Sequence, residues 1–183
     1  MEAYKTELID GKELMLASPT TTHGAIVGTL HSIINLNLGK GCTVFTDCVD
    51  VVCDEKNIFV PDITVVKNKD IHNEKVVGTP KLVIEVWSLG NKQAERQKKK
   101  QLYAIKGIPQ FIEIDYLRRE VVSNSLVDGG YQTTKKVEVY PIYEYENANM
   151  VDEIDHVIFV DCVGIEVDML DVFSGEILKY VPR

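Results

Sequence analysis

Residues 81–115 read KLVIEVWSLGNKQAERQKKKQLYAIKGIPQFIEID, and this stretch decides the fold. Lys81 to Ser88 is a short, mostly apolar run rich in β-branched and aromatic residues, which predicts a strand. Asn91 to Lys106 predicts a helix. Its few apolar residues, Ala94, Leu102, Tyr103 and Ile105, imply a helix that packs by one end and leaves a wet face. Gly107 and Pro109 stop it. Gln110 to Asp115 returns to a strand.

Working toward the N-terminus, Ile58 to Val66 and the alternating, β-branched run Thr43 to Cys53 predict two more strands. Ile26, Val27, Leu30, Ile33, Ile34 and Leu38 recur at helical spacing. That helix is expected to start at Ser18-Pro19-Thr20-Thr21-Thr22 and to end near Gly39-Lys40-Gly41. Thr6 to Leu16 reads as a hairpin turning at Asp10-Gly11. Toward the C-terminus, Glu120 to Val127 and Tyr131 to Val139 form a hairpin around Asp128-Gly129-Gly130. His156 to Val160 is apolar, Met169 to Phe173 suits a short terminal helix, and Tyr145 to Asp155 suits a polar surface loop. The economical solution is α/β (α+β): a mixed central sheet flanked by helices, with an N-terminal hairpin, in one domain over residues 1–183.

Composition narrows the function. With 45% hydrophobic and 26% charged residues the chain is ordinary globular protein. It has no apolar run of membrane length, and the charged start MEAYKTELIDGKE is not expected to act as a signal peptide. Cys42, Cys48, Cys53 and Cys162 show no C-x-x-C spacing, so free thiols in a cytoplasmic protein are expected. The net charge of −8 argues against a general nucleic-acid coat. A local basic patch opposes that sign: Lys92, Arg96, Lys98, Lys99, Lys100 and Lys106. Phosphate loops of the G-x-x-x-x-G-K or G-x-G-x-x-G type are absent, as is a G-x-S-x-G elbow, so ATP-driven and serine-hydrolase chemistry lack support.

Two residues break the apolar pattern. Asp62 interrupts Ile58 to Val66, and Glu85 interrupts Leu82 to Trp87. A buried carboxylate is normally paired or bound to a cation, and two on neighbouring strands could share one Mg²⁺ with the Val86 carbonyl as a third ligand. Either acid could instead point outward at a strand edge, and Pro61 favours that for Asp62. Glu95, Lys99 and Tyr103 lie along one helix face. Lys99 could reach the acids and stabilise phosphoryl charge, although on spacing alone an exposed Glu95–Lys99 pair is the simpler account. His23 begins the first helix, where it could orient an anionic substrate or merely cap.

Pro61-Asp62, Ile84-Glu85-Val86-Trp87-Ser88, Lys99-x-x-x-Tyr103-Ala104 and Gly107-Ile108-Pro109-Gln110-Phe111 resemble, in order and spacing, the Uma-two-like family of restriction-endonuclease-like proteins in the PD-(D/E)XK nuclease superfamily. Glu7-Leu8-Ile9-Asp10-Gly11 is similar to its opening hairpin, Ser18-Pro19 with His23 to its first helix, and Gly164 to Phe173 to its end. The resemblance implies a restriction-endonuclease-like fold and a metal-dependent DNA endonuclease, with Asp62 and Glu85 holding Mg²⁺, or Mn²⁺ as its substitute. Where the superfamily carries a lysine two residues after the second acid, this chain has Trp87, and Lys99 on the next helix takes that place. The catalytic expectation is therefore Asp62, Glu85 and Lys99, with His23 binding substrate. A homodimer is expected, since cutting two strands needs two sites. The alternatives are a catalytically silent nuclease-fold interaction protein and a metal-dependent hydrolase of small phosphoesters.

Overall fold

A computed structural model describes residues 6–88, 90–140 and 155–182. The N-terminal half runs β1 (Thr6–Ile9), β2 (Lys12–Met15), α1 (Thr21–Asn37), β3 (Cys42–Thr46), β4 (Val51–Asp54), β5 (Asn57–Phe59), β6 (Ile63–Lys67), β7 (Ile71–His72) and β8 (Lys75–Val76). It continues with β9 (Leu82–Trp87), α2 (Gln93–Ile105), β10 (Gln110–Asp115), β11 (Glu120–Val127), β12 (Gly130–Glu138), β13 (Val157–Val160), β14 (Ile165–Asp168) and α3 (Met169–Ser174). The polar loop expected over residues 145–155 lies outside the described residues except for Asp155.

The central sheet has the order β12-β11-β10-β9-β6-β3. Its middle pair, β9 and β10, is parallel and is joined across α2; the other pairs are antiparallel. The fold is thus the expected mixed sheet with helices. Strand alternation assigns the faces. Leu82, Ile84 and Val86 pack with Ile112, Ile114 and the apolar stripe of α1 (Ile26, Leu30, Ile33, Ile34) in the main core. Val83, Trp87 and Phe111 face α2 and meet Leu102, Tyr103 and Ile108. Each fully buried Leu or Ile in these layers contributes about 1.5–3 kcal/mol.

The Asp10-Gly11 turn has both residues at positive φ (50° and 77°), as a two-residue hairpin requires. Thr20 caps α1 by accepting from the His23 amide at 3.2 Å.

Two expected strands divide. Thr43 to Cys53 becomes β3 and β4, and Ile58 to Val66 becomes β5 and β6, with the members of each pair in different sheets. Asp47 makes the first break at φ 48°. Pro61, which has no amide to donate to a ladder, lies in the second. The divided pieces build a second sheet, β2-β1-β5-β4-β8-β7, which the sequence did not announce. This sheet is tied to α2 by the Lys98–Asp10 pair at 2.8 Å and by Lys106, whose Nζ donates to the carbonyls of Val52 (2.6 Å) and Val77 (3.0 Å). β7, β8 and β14 are further additions to the expected elements.

Candidate metal centre and its cleft

The two acids that interrupt apolar strands stand face to face. Ile63 pairs with Ile84 in the antiparallel β6–β9 ladder, so one further step in the same register sets Asp62 opposite Glu85. Asp62 lies just beyond the end of β6, and its Oδ2 accepts from the Val86 amide at 2.6 Å. Its Oδ1 lies 3.1 Å from Nε2 of His23, delivered by the first turn of α1. Burial works to raise the Asp62 carboxyl, but the His23 hydrogen bond and charge, with the Val86 amide, hold it below the usual carboxylate range.

Glu85 meets a different neighbourhood. The Lys99 ammonium donates to both its oxygens, at 3.0 and 3.2 Å, and the Tyr103 hydroxyl donates to Oε1 at 2.6 Å. Lys99 also donates to Oε1 of Glu7 at 2.7 Å, and the Val60 amide donates to that same oxygen at 2.9 Å. Burial pushes the Glu85 carboxyl up to about 8 against the pull of Lys99, and the charges of Asp62 and Glu7 act in the same upward direction. Burial disfavours the Lys99 ammonium, yet Glu85 and Glu7 more than offset this and raise its pKa above the usual value. Two carboxyl groups thus share one buried cation, and Lys99 is only 6% exposed. The exposed Glu95–Lys99 pair is not formed; Glu95 instead accepts from the Lys92 amide at 3.4 Å.

This arrangement repeats along α2. Glu85 and Glu113 are level on the parallel β9–β10 pair, and Trp87 is level with Asp115. Lys100 reaches Glu113 at 2.8 Å and Arg96 reaches Asp115 at 2.7 Å. Arg96 also lies 5.2 Å from the Trp87 ring centre, and Lys99 5.8 Å from it. The basic helix is therefore largely neutralised from within. Lys100 of that basic patch is half-buried and held by Glu113 and by Asn124 at 3.0 Å.

All four expected site residues, His23, Asp62, Glu85 and Lys99, line one cleft of about 440 Å³ between β1, the β2–α1 connection and the N-terminal end of α2. Two further acids in it were not singled out from the sequence. Glu7 was read only as part of the hairpin, and its inward direction follows from sharing a strand face with Ile9, which packs against the α2-side core. Asp47 lay inside the run Thr43 to Cys53 read as one alternating strand, and was not set apart there.

The atoms best placed for a cation are Nε2 or Nδ1 of His23 and carboxylate oxygens of Asp47 and Asp62, all within 4.8 Å of one another. Two carboxylates with an imidazole suit a divalent cation such as Mg²⁺ or Mn²⁺, the nitrogen tilting the set toward Mn²⁺. Glu85 stands beside this cluster rather than in it, because its oxygens are engaged by Lys99 and Tyr103.

Residues 1–142 match the Uma2 family, described as "Putative restriction endonuclease". Among solved structures, the chain is similar to one described as "a putative nuclease belonging to DUF820" from Anabaena variabilis ATCC 29413. The identity is 19%, the TM-score is 0.70, and the alignment covers 93% of this chain and 90% of that one. No curated protein matches.

Proposed function

The chain belongs to the Uma2 family, and from that premise we propose that it is a metal-dependent endonuclease hydrolysing DNA phosphodiesters in the Asp62–Glu85 cleft. One observation carries this reading: a His–Asp–Asp ligand cluster and a buried ammonium open onto the same cleft.

Asp62, His23 and Asp47 are the residues that would hold Mg²⁺, with Mn²⁺ as a substitute. When bound, the cation supplies Lewis-acid stabilisation of phosphate charge and makes water a better nucleophile near neutral pH. Glu85 stands beside these ligands, and both of its oxygens accept from Lys99, so it keeps the ammonium next to the cation. Lys99 keeps its proton because Glu85 and Glu7 surround it, and it offers positive charge where a phosphoryl group gains negative charge. Trp87 fills the position of the superfamily lysine and braces Lys99 by its ring face. His23, on the same wall, also orients the substrate. A homodimer would carry two such sites, and the free thiols suit a cytoplasmic protein.

Nicking of supercoiled plasmid with added Mg²⁺ or Mn²⁺ tests this directly. The parent protein is expected to nick and Asp62→Asn to be silent. The acidic charge balance favours one rival, a catalytically silent interaction protein on the same scaffold. That rival wins if no divalent cation supports nicking although the cation raises the melting temperature. Faster turnover of a chromogenic phosphodiester than of DNA would point instead to a hydrolase of small phosphoesters.

A further inference from the structure

We infer that this site takes an unpaired nucleic-acid strand, a single-stranded tail or loop, rather than paired duplex. The inference rests on the nuclease reading above and specifies its substrate.

Duplex DNA presents a negative charge about every 1.7 Å, and proteins that grip it neutralise about 6–10 phosphates with Lys and Arg. This cleft has no such surface among the described residues. Its charged lining is five acids (Glu7, Asp47, Asp62, Glu85, Glu95) against two lysines, Lys92 and Lys99. Lys99 is enclosed by Glu7 and Glu85. Lys92 is 81% exposed and lies 3.9 Å from Glu95. The rest of the basic helix is committed elsewhere: Arg96 to Asp115, Lys98 to Asp10, Lys100 to Glu113, and Lys106 to two backbone carbonyls.

The opposite wall is apolar. Ile9 and Leu14, which share the strand face of Glu7, and Leu16 are half-buried along it. A row of half-buried aliphatic groups suits the flat face of a base. In a duplex that face is already stacked and unavailable, whereas an unpaired nucleotide offers both its base and a single phosphate. One phosphate at the metal cluster and one base on the Leu14 wall is a load that a cleft of about 440 Å³ can take. A site that takes one strand needs no second copy to act.

The test uses the full chain and a hairpin DNA bearing a long single-stranded tail, beside the same hairpin without the tail. Binding is measured across a salt series on the parent chain with Ca²⁺, a hard cation that the same oxygen ligands accept, and cleavage on the parent with Mn²⁺. Binding of the tailed DNA is expected to be at least tenfold tighter, with a log–log salt slope no steeper than about −2, as for one to three single-strand phosphate contacts. Cuts are expected in the tail. Leu14→Ser is expected to raise KM for the tailed DNA several-fold with kcat unchanged and the Mn²⁺-induced rise in melting temperature intact. Equal or tighter binding of the untailed duplex, or a slope of −5 or steeper as about six B-DNA contacts would give, overturns the inference while leaving the nuclease reading standing. Tail-selective binding without cleavage defeats the nuclease reading and keeps the unpaired-strand site. Failure to bind either DNA overturns both.

Discussion

Asp62 and Glu85 are acids at facing positions of one ladder, yet they live in opposite electrostatic conditions. Asp62 has an amide and an imidazole as partners, stays below the usual carboxylate range and shares ligand geometry with Asp47. Glu85 is fully enclosed with Lys99, Tyr103 and Glu7, and burial drives it up to about 8. The difference teaches that a single motif-like pair can divide its labour. One acid is set to receive a cation. The other is set to hold an ammonium in place beside it.

The comparison breaks most severely at Lys99. Lys99→Met leaves Glu7 and Glu85 buried without their shared cation, which is expected to cost about 3–5 kcal/mol in urea unfolding at pH 8. The loss should shrink at pH 5, where the carboxyl groups can take protons instead. An equal loss at both pH values would show that packing, not charge, is what the substitution removes. Lys100 is no neutral control for this experiment, because it holds Glu113 and Asn124; Lys92 is the suitable one.

On the other side of the ladder, Asp62→Asn is expected to fold, to lose the metal-induced rise in melting temperature, and to lower kcat about 10²–10³-fold, as for other electrostatic stabilisers of a transition state. Retention of the metal-induced shift would move the metal away from Asp62.

pH sharpens the contrast further. A carboxyl whose folded pKa is raised favours the protonated folded state, so the Glu85 contribution is full below its unfolded value of 4.5 and is lost as pH rises through about 8. Asp62, lowered from 3.8, contributes in the opposite sense: its stability is present above that value and is lost as pH falls further. Glu85→Gln is therefore expected to flatten the decline in stability between pH 5 and 8, and Asp62→Asn the decline at acid pH. Urea melts from below pH 3.8 up to pH 8 check both; identical pH profiles for the two variants would erase the distinction.

The smallest effect belongs outside the site. Lys98→Ala removes a partly exposed pair with Asp10 and is expected to cost less than about 1 kcal/mol. A larger loss would mean that this contact, and not only Lys106, fastens the second sheet to α2.

Much of this was legible in the chain because local pattern records burial. β9, α2 and β10 follow from one stretch of alternation, helical spacing and a Gly–Pro stop. α1, its Thr20 cap and the Asp10-Gly11 turn follow from spacing and turn chemistry. Asp62 and Glu85 stood out as acids in apolar strands, and Lys99 and Tyr103 fell on one helix face. The division of residues 43–53 and 58–66 between two sheets was not legible, since strand propensity continues through Asp47 and Pro61 and only pairing partners distinguish the halves.

The sequence by itself determined the apolar faces of the main elements, which acids violate the apolar pattern, and which family the chain resembles. Only the tertiary structure decided who neutralises whom. The nearest opposite charge on its own helix, Glu95, is not the partner of Lys99; Glu7, 92 residues away, is. Asp47 joins His23 and Asp62 only because β3 and β6 pair and α1 begins over them. The basic run of α2, which in sequence promises a phosphate-binding surface, spends its charges on Asp115, Glu113, Glu85 and Asp10. Periodicity fixes the direction of a side chain within its own element. The counter-charge it meets is set by packing between elements distant in the chain, where desolvation makes an unpaired ion too costly to leave alone.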